Sequence, residues 1–451
     1  MRGRRTVAFV LGAVMLAAAC SSSGGSSSNG GKATGPTTST TLPNLGQGVT
    51  SSSIKLGIMM IDYSCIAQFV DEQRPDQQKD FQVFVDDINN KGGINGRTID
   101  PVYKTYCPLN NTGELQVCTQ LTEDTHVFAV VGTFYDPSGD AQLCFAQQHH
   151  TVVIADSLTQ QLVDRAPQGL LLTPDITSER RLRVIMALLG KTGTLNGKTV
   201  SVLSGTGDQG SVVNVVKPGL AKLGVKRGSD GVLSITGADT TAALAQLDAF
   251  IEHWKSDGTN ALVMVGSDVS SKQFVEKIKA AIPNMLLVAD TTGVLTGAQD
   301  EQKAGMSPNP YEGIITAEGQ TGLEHTKTPH FAYCRDIFEK ATGQKVPMPN
   351  VVIKLPNGKQ NQIYGSVEDG CLFVNFFATI ARRVGPNLTI ANWANTVNNF
   401  GSVDDTSTIW ASIHKGKYDA DDTYGLVAYD HTKGQAGDWV HLTPEQNVGS
   451  Y

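Results

Sequence analysis

The chain has 451 residues, with 36 Lys+Arg against 43 Asp+Glu and a formal charge of −7 at pH 7. That length leaves room for two domains, and 40% hydrophobic content is enough to bury a core. The acidic balance excludes the electrostatic footprint that nucleic acid or an anionic lipid surface requires, so neither is expected as a partner.

The chain opens MRGRRTVAFVLGAVMLAAAC. Arg2, Arg4 and Arg5 precede an apolar run over 7–19, which is too short for a bilayer-spanning helix of about 20 residues. Residues 1–19 therefore read as an export signal and are set apart from the fold. Ala17, Ala18 and Ala19 before Cys20 resemble a bacterial lipobox, in which the Cys becomes the lipidated N-terminus. The Leu usual three places before that Cys is Ala17 here, and Leu16 lies one place earlier. The following Ser-, Gly- and Thr-rich residues show no apolar period, so 20–52 is expected to be a lipidated Cys and a flexible tether. Loss of the three arginines leaves 33 Lys+Arg against 43 Asp+Glu, a formal −10. The expected location is the outer face of the cell membrane, with the lipid as the only membrane contact.

From 53 onward, candidate strands alternate with helices. A first set lies at 54–60, 98–103, 127–132, 151–155 and 170–173. A second lies at 199–203, 232–235, 261–265, 286–289 and 313–317. Most are unbroken Val/Ile/Leu runs, as in parallel strands covered on both faces. Between them Phe81, Phe84, Val85 and Ile88 recur at helical spacing, and Gly92-Gly93 ends that helix; Phe274, Ile278 and Ile282 repeat the pattern. The alternation predicts an α/β fold with right-handed crossovers. TPDITSERRLRVIMALL, after Leu172, reads as a turn and a new helix that separates the two sets. After Gly319 come charged and Pro-rich turns, two late helices and a short β-rich tail, so two lobes are crossed more than once.

Gly205, Gly207 and Gly210 spell G-x-G-x-x-G between a strand and a helix, the dinucleotide fingerprint. The acid that should end the next strand and hold a ribose is missing. Asp230 precedes the strand at 232–235, and Asp239 lies too far along. An exported chain also meets little NAD, so the motif reads as a tight turn and no cofactor is expected. No CxxC and no Cys/His zinc spacing occurs, and adjacent His149 and His150 point apart, so no metal is expected. Neither G-x-S-x-G, H-E-x-x-H nor a P-loop is present. A carboxylate pair acting as in a glycosidase is the remaining catalytic reading, and it would require bond cleavage. The chain reads as a non-enzyme.

SIKLGIMM, FQVFVDDINNKGGINGRTIDPVY, TQLTEDTHVFAVVGTFYDPSGDA and TVVIADSLT resemble the first lobe of type I periplasmic binding proteins. The closest branch is the branched-chain-amino-acid-type (Leu/Ile/Val) substrate-binding lipoproteins of ABC importers. INNKGGINGR at 88–97 is the most specific piece, and the resemblance covers about 53–440. It implies two Rossmann-like lobes, 53–172 plus 322–400 and 173–321 plus 401–451, joined by a three-crossing hinge. The ligand is then expected beyond the C-terminal strand ends. In lobe one these carry Asp62 and Tyr63; Phe134, Tyr135, Asp136 and Ser138; and Asp156, Ser157 and Thr159. In lobe two they carry Asp208 and Gln209, Ser267 and Asp268, and Asp290 and Thr291. Any one Asp or Ser could equally cap a helix. Together they give six carboxylates with no Arg, Lys or His at the strand ends.

The resemblance implies that hydroxyls such as Ser138, Ser157 and Thr159 take a ligand carboxylate, while Asp268 or Asp290 takes its ammonium. Asp136 and Asp156 bring negative charge to the carboxylate side, and Gln209 replaces an aromatic residue common in the family. A ligand rich in ammonium or hydroxyl groups fits better than a branched-chain amino acid, with Tyr63, Phe134 and Tyr135 covering its apolar part. Besides Cys20 there are six Cys, an even number that suggests three disulfides in an exported chain. Cys334 and Cys371, on successive late helices, are expected to pair. Among Cys65, Cys107, Cys118 and Cys144 the pairing stays open, with Cys65–Cys107 and Cys118–Cys144 preferred.

The functional expectation is a monomer that captures a small-molecule ligand for an ABC permease. The alternative is a lipoprotein sensor that presents its liganded form to a membrane receptor. Cys20→Ala should release the chain from membranes into the soluble fraction; unchanged sedimentation with membranes would refute lipidation.

Overall fold

The computed structural model describes residues 45–68, 70–109, 111–135, 138–235, 240–291, 293–403 and 408–451. Cys20, the export signal, most of the tether and Asp136 lie outside the described residues. No helix among the described residues is long and apolar enough to cross a membrane.

Two sheets organise the chain. The first contains β1 (Ser53–Ile61), β2 (Thr98–Tyr106), β3 (Ala129–Gly132), β4 (Val152–Ala155) and β5 (Leu171–Leu172), in the order β2-β1-β3-β4-β5 and parallel throughout. β3 and β4 are buried at every position, which is why they read as AVVG and VVIA without alternation. Helices α1 (Gln77–Asn90), α2 (Asn111–Thr119) and α3 (Gln160–Arg165) belong to this half. α1 buries Phe81, Phe84, Val85 and Ile88, the face marked by their spacing. Beyond it, Gly93 has φ +71° and a Cβ there would lie 2.0 Å from Arg97 O, so only glycine fits.

The second sheet contains β6 (Thr199–Gly205), β7 (Ala261–Val265), β8 (Leu286–Ala289), β9 (Ile315–Glu318), β10 (Thr423–Asp430) and β11 (Asp438–His441), in the order β11-β10-β9-β8-β7-β6. β6 to β9 are parallel, and β10 and β11 join antiparallel. Short strands at Lys226–Arg227 and Gly231–Leu233 flank β6. This half includes α4 (Ser178–Thr192), α5 (Thr241–Asp257), α6 (Lys272–Ala281) and α7 (Val294–Lys303). The late chain forms α8 (Gly322–His325), α9 (Pro329–Thr342), α10 (Ile363–Val384) and α11 (Ile390–Asn398). The last three return to the first core, where Phe338, Phe377 and Trp393 pack with Phe81 and Phe128.

Two boundaries differ from expectation. Gly46 N–H donates to Leu388 O at 2.8 Å, and Val49, 9% exposed, bridges Ile54. The fold therefore starts before 53, because Val49 has a place in the first core. Likewise Val403, Ala411, Ile413, Tyr418 and Ala420, expected with the second lobe, pack in the first core. The strand of the second sheet resumes only at Thr423. Cys65–Cys107, Cys118–Cys144 and Cys334–Cys371 are bonded, the last joining α9 to α10.

The chain passes between the halves after Leu172, after Glu318 and after Ala420. The first and third passes run side by side: Thr173 N–H donates to Tyr418 O at 3.0 Å and Ala420 N–H to Thr173 O at 2.9 Å. Three consecutive charged residues then open α4, and Glu179, Arg180 and Arg181 are only 8%, 3% and 5% exposed. Arg180 donates to Asp419 Oδ2 (2.8 Å), Asp422 Oδ1 (2.7 Å) and Asp421 O (2.5 Å). The Thr177 amide and hydroxyl also donate to Asp419 Oδ2, at 2.8 and 3.0 Å. Burial alone would raise the Asp419 carboxyl, yet Arg180, Lys417 and the Thr177 amide hold it below its ordinary range. Arg180→Met leaves two buried carboxylates with Lys417 as their one remaining cation, 3.6 Å from Asp419 and 3.1 Å from Asp422, and should cost about 3 kcal/mol in urea unfolding. Lys79→Ala, which breaks the exposed pair with Asp76, should leave the midpoint in place.

Candidate ligand-binding cleft

Because β9, β8, β7 and β6 are parallel neighbours, their C-terminal ends bring Glu318, Asp290, Asp268 and Asp208 to one edge. Asp290 is 7% exposed, and both its oxygens accept from Gly266 N–H, at 3.0 and 3.2 Å. Gly266 has φ +101°, and a Cβ there would lie 2.3 Å from Asp208 Oδ2. A Cβ on Gly205 would lie 2.9 Å from the same oxygen, and one on Gly210 3.3 Å from Gln161 Oε1 of the first half. The glycine motif thus makes room for a carboxylate and for close approach of the two halves, which is no design for a pyrophosphate. Asp230 is a structural anchor: it accepts from Val202 N–H at 3.0 Å and pairs with Arg227.

Burial raises the carboxyl pKa of Asp208 to about 7, and Asp290, Asp268 and Glu179 add repulsion. Burial likewise raises Asp290 to about 6, opposed by Gly266 N–H and Arg181. Glu318 rises to about 7 by burial, with Arg181 opposing. In the first half, Asp156 rises to about 7 by burial, against a hydrogen bond from Phe134 N–H at 3.0 Å and with Asp369 adding to the rise. Asp268 is raised too, by the protein packed around it, although its side chain stays exposed to solvent. Opposite stands Tyr135, 56% exposed, whose phenol is raised by its surroundings, by Asp268 of the second half and by Glu72. Glu179 spans the halves directly, Oε2 accepting from Gln160 N–H at the start of α3 at 2.5 Å.

No protein-family model matches the chain, and no curated protein matches its sequence. Solved structures match it in shape. The fatty acid ABC transporter substrate-binding protein from Thermomonospora curvata has a TM-score of 0.64 at 14% identity, over 91% of this chain and 97% of its own. An ABC transporter solute-binding protein from R. palustris, in complex with 4-hydroxybenzoate, has 0.63 at 12%, over 88% and 97%. The branched-chain amino acid transporter substrate-binding protein from Streptococcus pneumoniae, in complex with isoleucine, has 0.57 at 16%, over 86% and 100%. The chain has the type I periplasmic binding-protein fold. Its neighbours are ABC transporter substrate-binding proteins, as the resemblance implied.

Within this binding-protein fold, several expected contact residues also have local partners. Phe134 is 4% exposed with its ring edge-on to Phe145 at 6.1 Å, so it fills the first core while Tyr135 turns outward. Thr159 caps α3, accepting from Leu162 N–H at 3.1 Å. Ser138 accepts from Asp140 N–H, Asp62 from Ser64 N–H and Thr291 from Gly293 N–H, at 3.2, 2.9 and 3.1 Å. Gln209 turns back to donate to Ser204 Oγ at 2.5 Å. Ser157 and Ser267 are exposed, Ser267 leading the short turn that carries Asp268. Tyr63 lies beneath Arg74, 5.4 Å from ring centre to guanidinium.

The cleft region also holds two arginines that the strand ends lack. Arg181 donates to Asp175 Oδ2 at 2.8 Å and Ala317 O at 3.3 Å, and lies 5.4 Å over the Tyr424 ring. Arg74 pairs with Asp369 and, at 3.8 Å, with Glu72. Arg181 had one readable signal: it precedes Ile185 and Leu188 by four and seven residues, on the apolar face of α4.

Carboxyls raised by folding stabilise the fold fully below the unfolded value near 4, and that contribution is lost as pH rises through about 6–7. Asp208→Asn should therefore melt like the parent below about pH 4 and increasingly above it from there to pH 8. An advantage independent of pH would refute the assignment of repulsion to Asp208.

Proposed function

We propose that the chain is an extracytoplasmic solute-binding lipoprotein that captures a small polar ligand between its lobes and delivers it to an ABC permease. The carrying observation is the row of acids at the ends of four parallel strands, facing Tyr135, in a fold shared with substrate-binding proteins. Cys20 would anchor the chain outside the cell, and the monomer would act by closing its lobes about the three passes.

The acids define the ligand class. Asp156, Asp208, Asp268, Asp290 and Glu318 outnumber Arg74 and Arg181, and both arginines already have carboxylate partners. A bare carboxylate such as the 4-hydroxybenzoate of the R. palustris neighbour would meet net repulsion here. An ammonium or a set of hydroxyl donors supplies what the closed cleft lacks. Asp268 is the reaching acid, being exposed and the acid of the second half whose charge acts on Tyr135, while Asp290 is buried. Asp136, next to Tyr135 in sequence, is proposed to add to the same field.

A thermal-shift screen of amino acids, polyamines, sugars and amides should select an amine- or polyol-type ligand; about 2.7 kcal/mol of stabilisation is expected at 100 times its Kd. Asp290→Ala or Asp136→Ala should then weaken binding by about 2–5 kcal/mol in calorimetry. Wild-type affinity in both variants, or a simple anion as the ligand, would overturn the reading.

A further inference from the structure

Away from the strand ends, three helices bring His325, His330 and Glu368 together. His325 ends α8, His330 lies in the first turn of α9 and Glu368 lies on α10. One potential ligand atom from each residue falls within 4.8 Å of the others. His325 Nε2 is 2.6 Å and His330 Nε2 3.6 Å from the same oxygen, Glu368 Oε2. Glu368 Oε1 is buried without a hydrogen-bond partner. His330 is 1% exposed.

We infer that His325, His330 and Glu368 form a binding site for one divalent transition-metal ion of the zinc type, with water completing its coordination. Two imidazoles and one carboxylate are a donor set suited to zinc. Four-coordinate bonds of 2.0–2.1 Å place ligand atoms about 3.3 Å apart. The 2.6 and 3.6 Å separations bracket that spacing, so small side-chain shifts admit an ion. One shared proton can satisfy only one imidazole–carboxylate contact, whereas a central cation serves all three groups. The side chains of His325 and Glu368 are each 15% exposed, which leaves a path from solvent.

The surroundings support a fixed site. Cys334 Sγ lies 3.3 Å from His330 Nε2, but its bond to Cys371 removes both sulfurs from competition as thiolate ligands. Leu323 N–H, on α8, donates to Asp438 Oδ2 of β11 at 3.0 Å. An ion would therefore tie the second pass between the halves, which leads directly into α8, to α9 and α10 of the first core. Three ligands from three helices, the carboxylate 38 residues beyond the second histidine, make no zinc spacing in the sequence. That is why reading Cys and His spacing alone found no metal site.

The test titrates ZnCl2 alone into the full-length, untagged chain, stripped with EDTA, at neutral pH. Calorimetry should show one ion per chain with micromolar or tighter affinity. His325→Ala and Glu368→Gln should each weaken it at least tenfold. His431→Ala, in the exposed Glu312–Asp430–His431 group, should leave it unchanged. Co2+ should give the intense visible absorption of a four-coordinate ion, lost in the same two variants. Because Glu368 is packed on α10, the part-exposed His325→Ala variant decides if Glu368→Gln melts early. Absence of Zn2+ binding, wild-type affinity in His325→Ala or the weak spectrum of six-coordinate Co2+ would overturn the inference.

Discussion

The arrangement of the two lobes depends on one buried charge cluster, in which Arg180 is joined by Lys417. Arg180 holds Asp419, Asp422 and the Asp421 carbonyl, and so binds the start of α4 to the chain returning from the first core. Its neighbours point elsewhere because a helix turns about 100° per residue. Glu179 reaches the first lobe, and Arg181 faces the acids of the second sheet. Three consecutive charges, each buried, thus join the lobes, fix the crossing and tune the cleft. Charges are rarely buried unless paired, and here the partners come from segments 242 residues or so away in sequence.

The same logic governs the cleft. Parallel strands all end on one edge, so an acid at each end produces a shared field rather than separate ion pairs. Gly266 lets two of these acids crowd together: its amide binds Asp290 and its missing side chain admits Asp208. The result is a group of carboxyls raised toward neutral pH with too few internal cations to neutralise them. Such a surface is specific by what it repels as much as by what it attracts.

The elements most readily read from the sequence were those governed by local period. The buried strands and the Phe81–Ile88 face of α1 follow from spacing, and the aspartates at strand ends follow from the topology that the alternation implied. The disulfides Cys65–Cys107 and Cys118–Cys144 join the preferred partners, although position alone left other pairings open. What escaped depends on distant or directional contacts. Phe134 and Tyr135 are adjacent and aromatic, and only packing against Phe145 sends one inward. Hydroxyls at 138, 159 and 291 each accept from an amide of their own turn, a local contact that composition does not reveal. The resemblance put the chain from 401 on with the second lobe, whereas the pairing of Thr173 with Asp419 returns Val403, Ala411, Ile413, Tyr418 and Ala420 to the first core.

Glu179 gives the molecule a further property. Its carboxylate caps a helix of the opposite lobe, an attachment that water can replace at a net cost of about 1.5–3 kcal/mol. The same negative charge faces Asp208 and Asp290, which push against it. One side chain therefore ties the lobes together while adding to the crowded negative charge of the second. Arg180 fixes its backbone, so it cannot escape either influence by moving away. A positive charge arriving beside these three acids would relieve their crowding and leave the tie between the lobes in place.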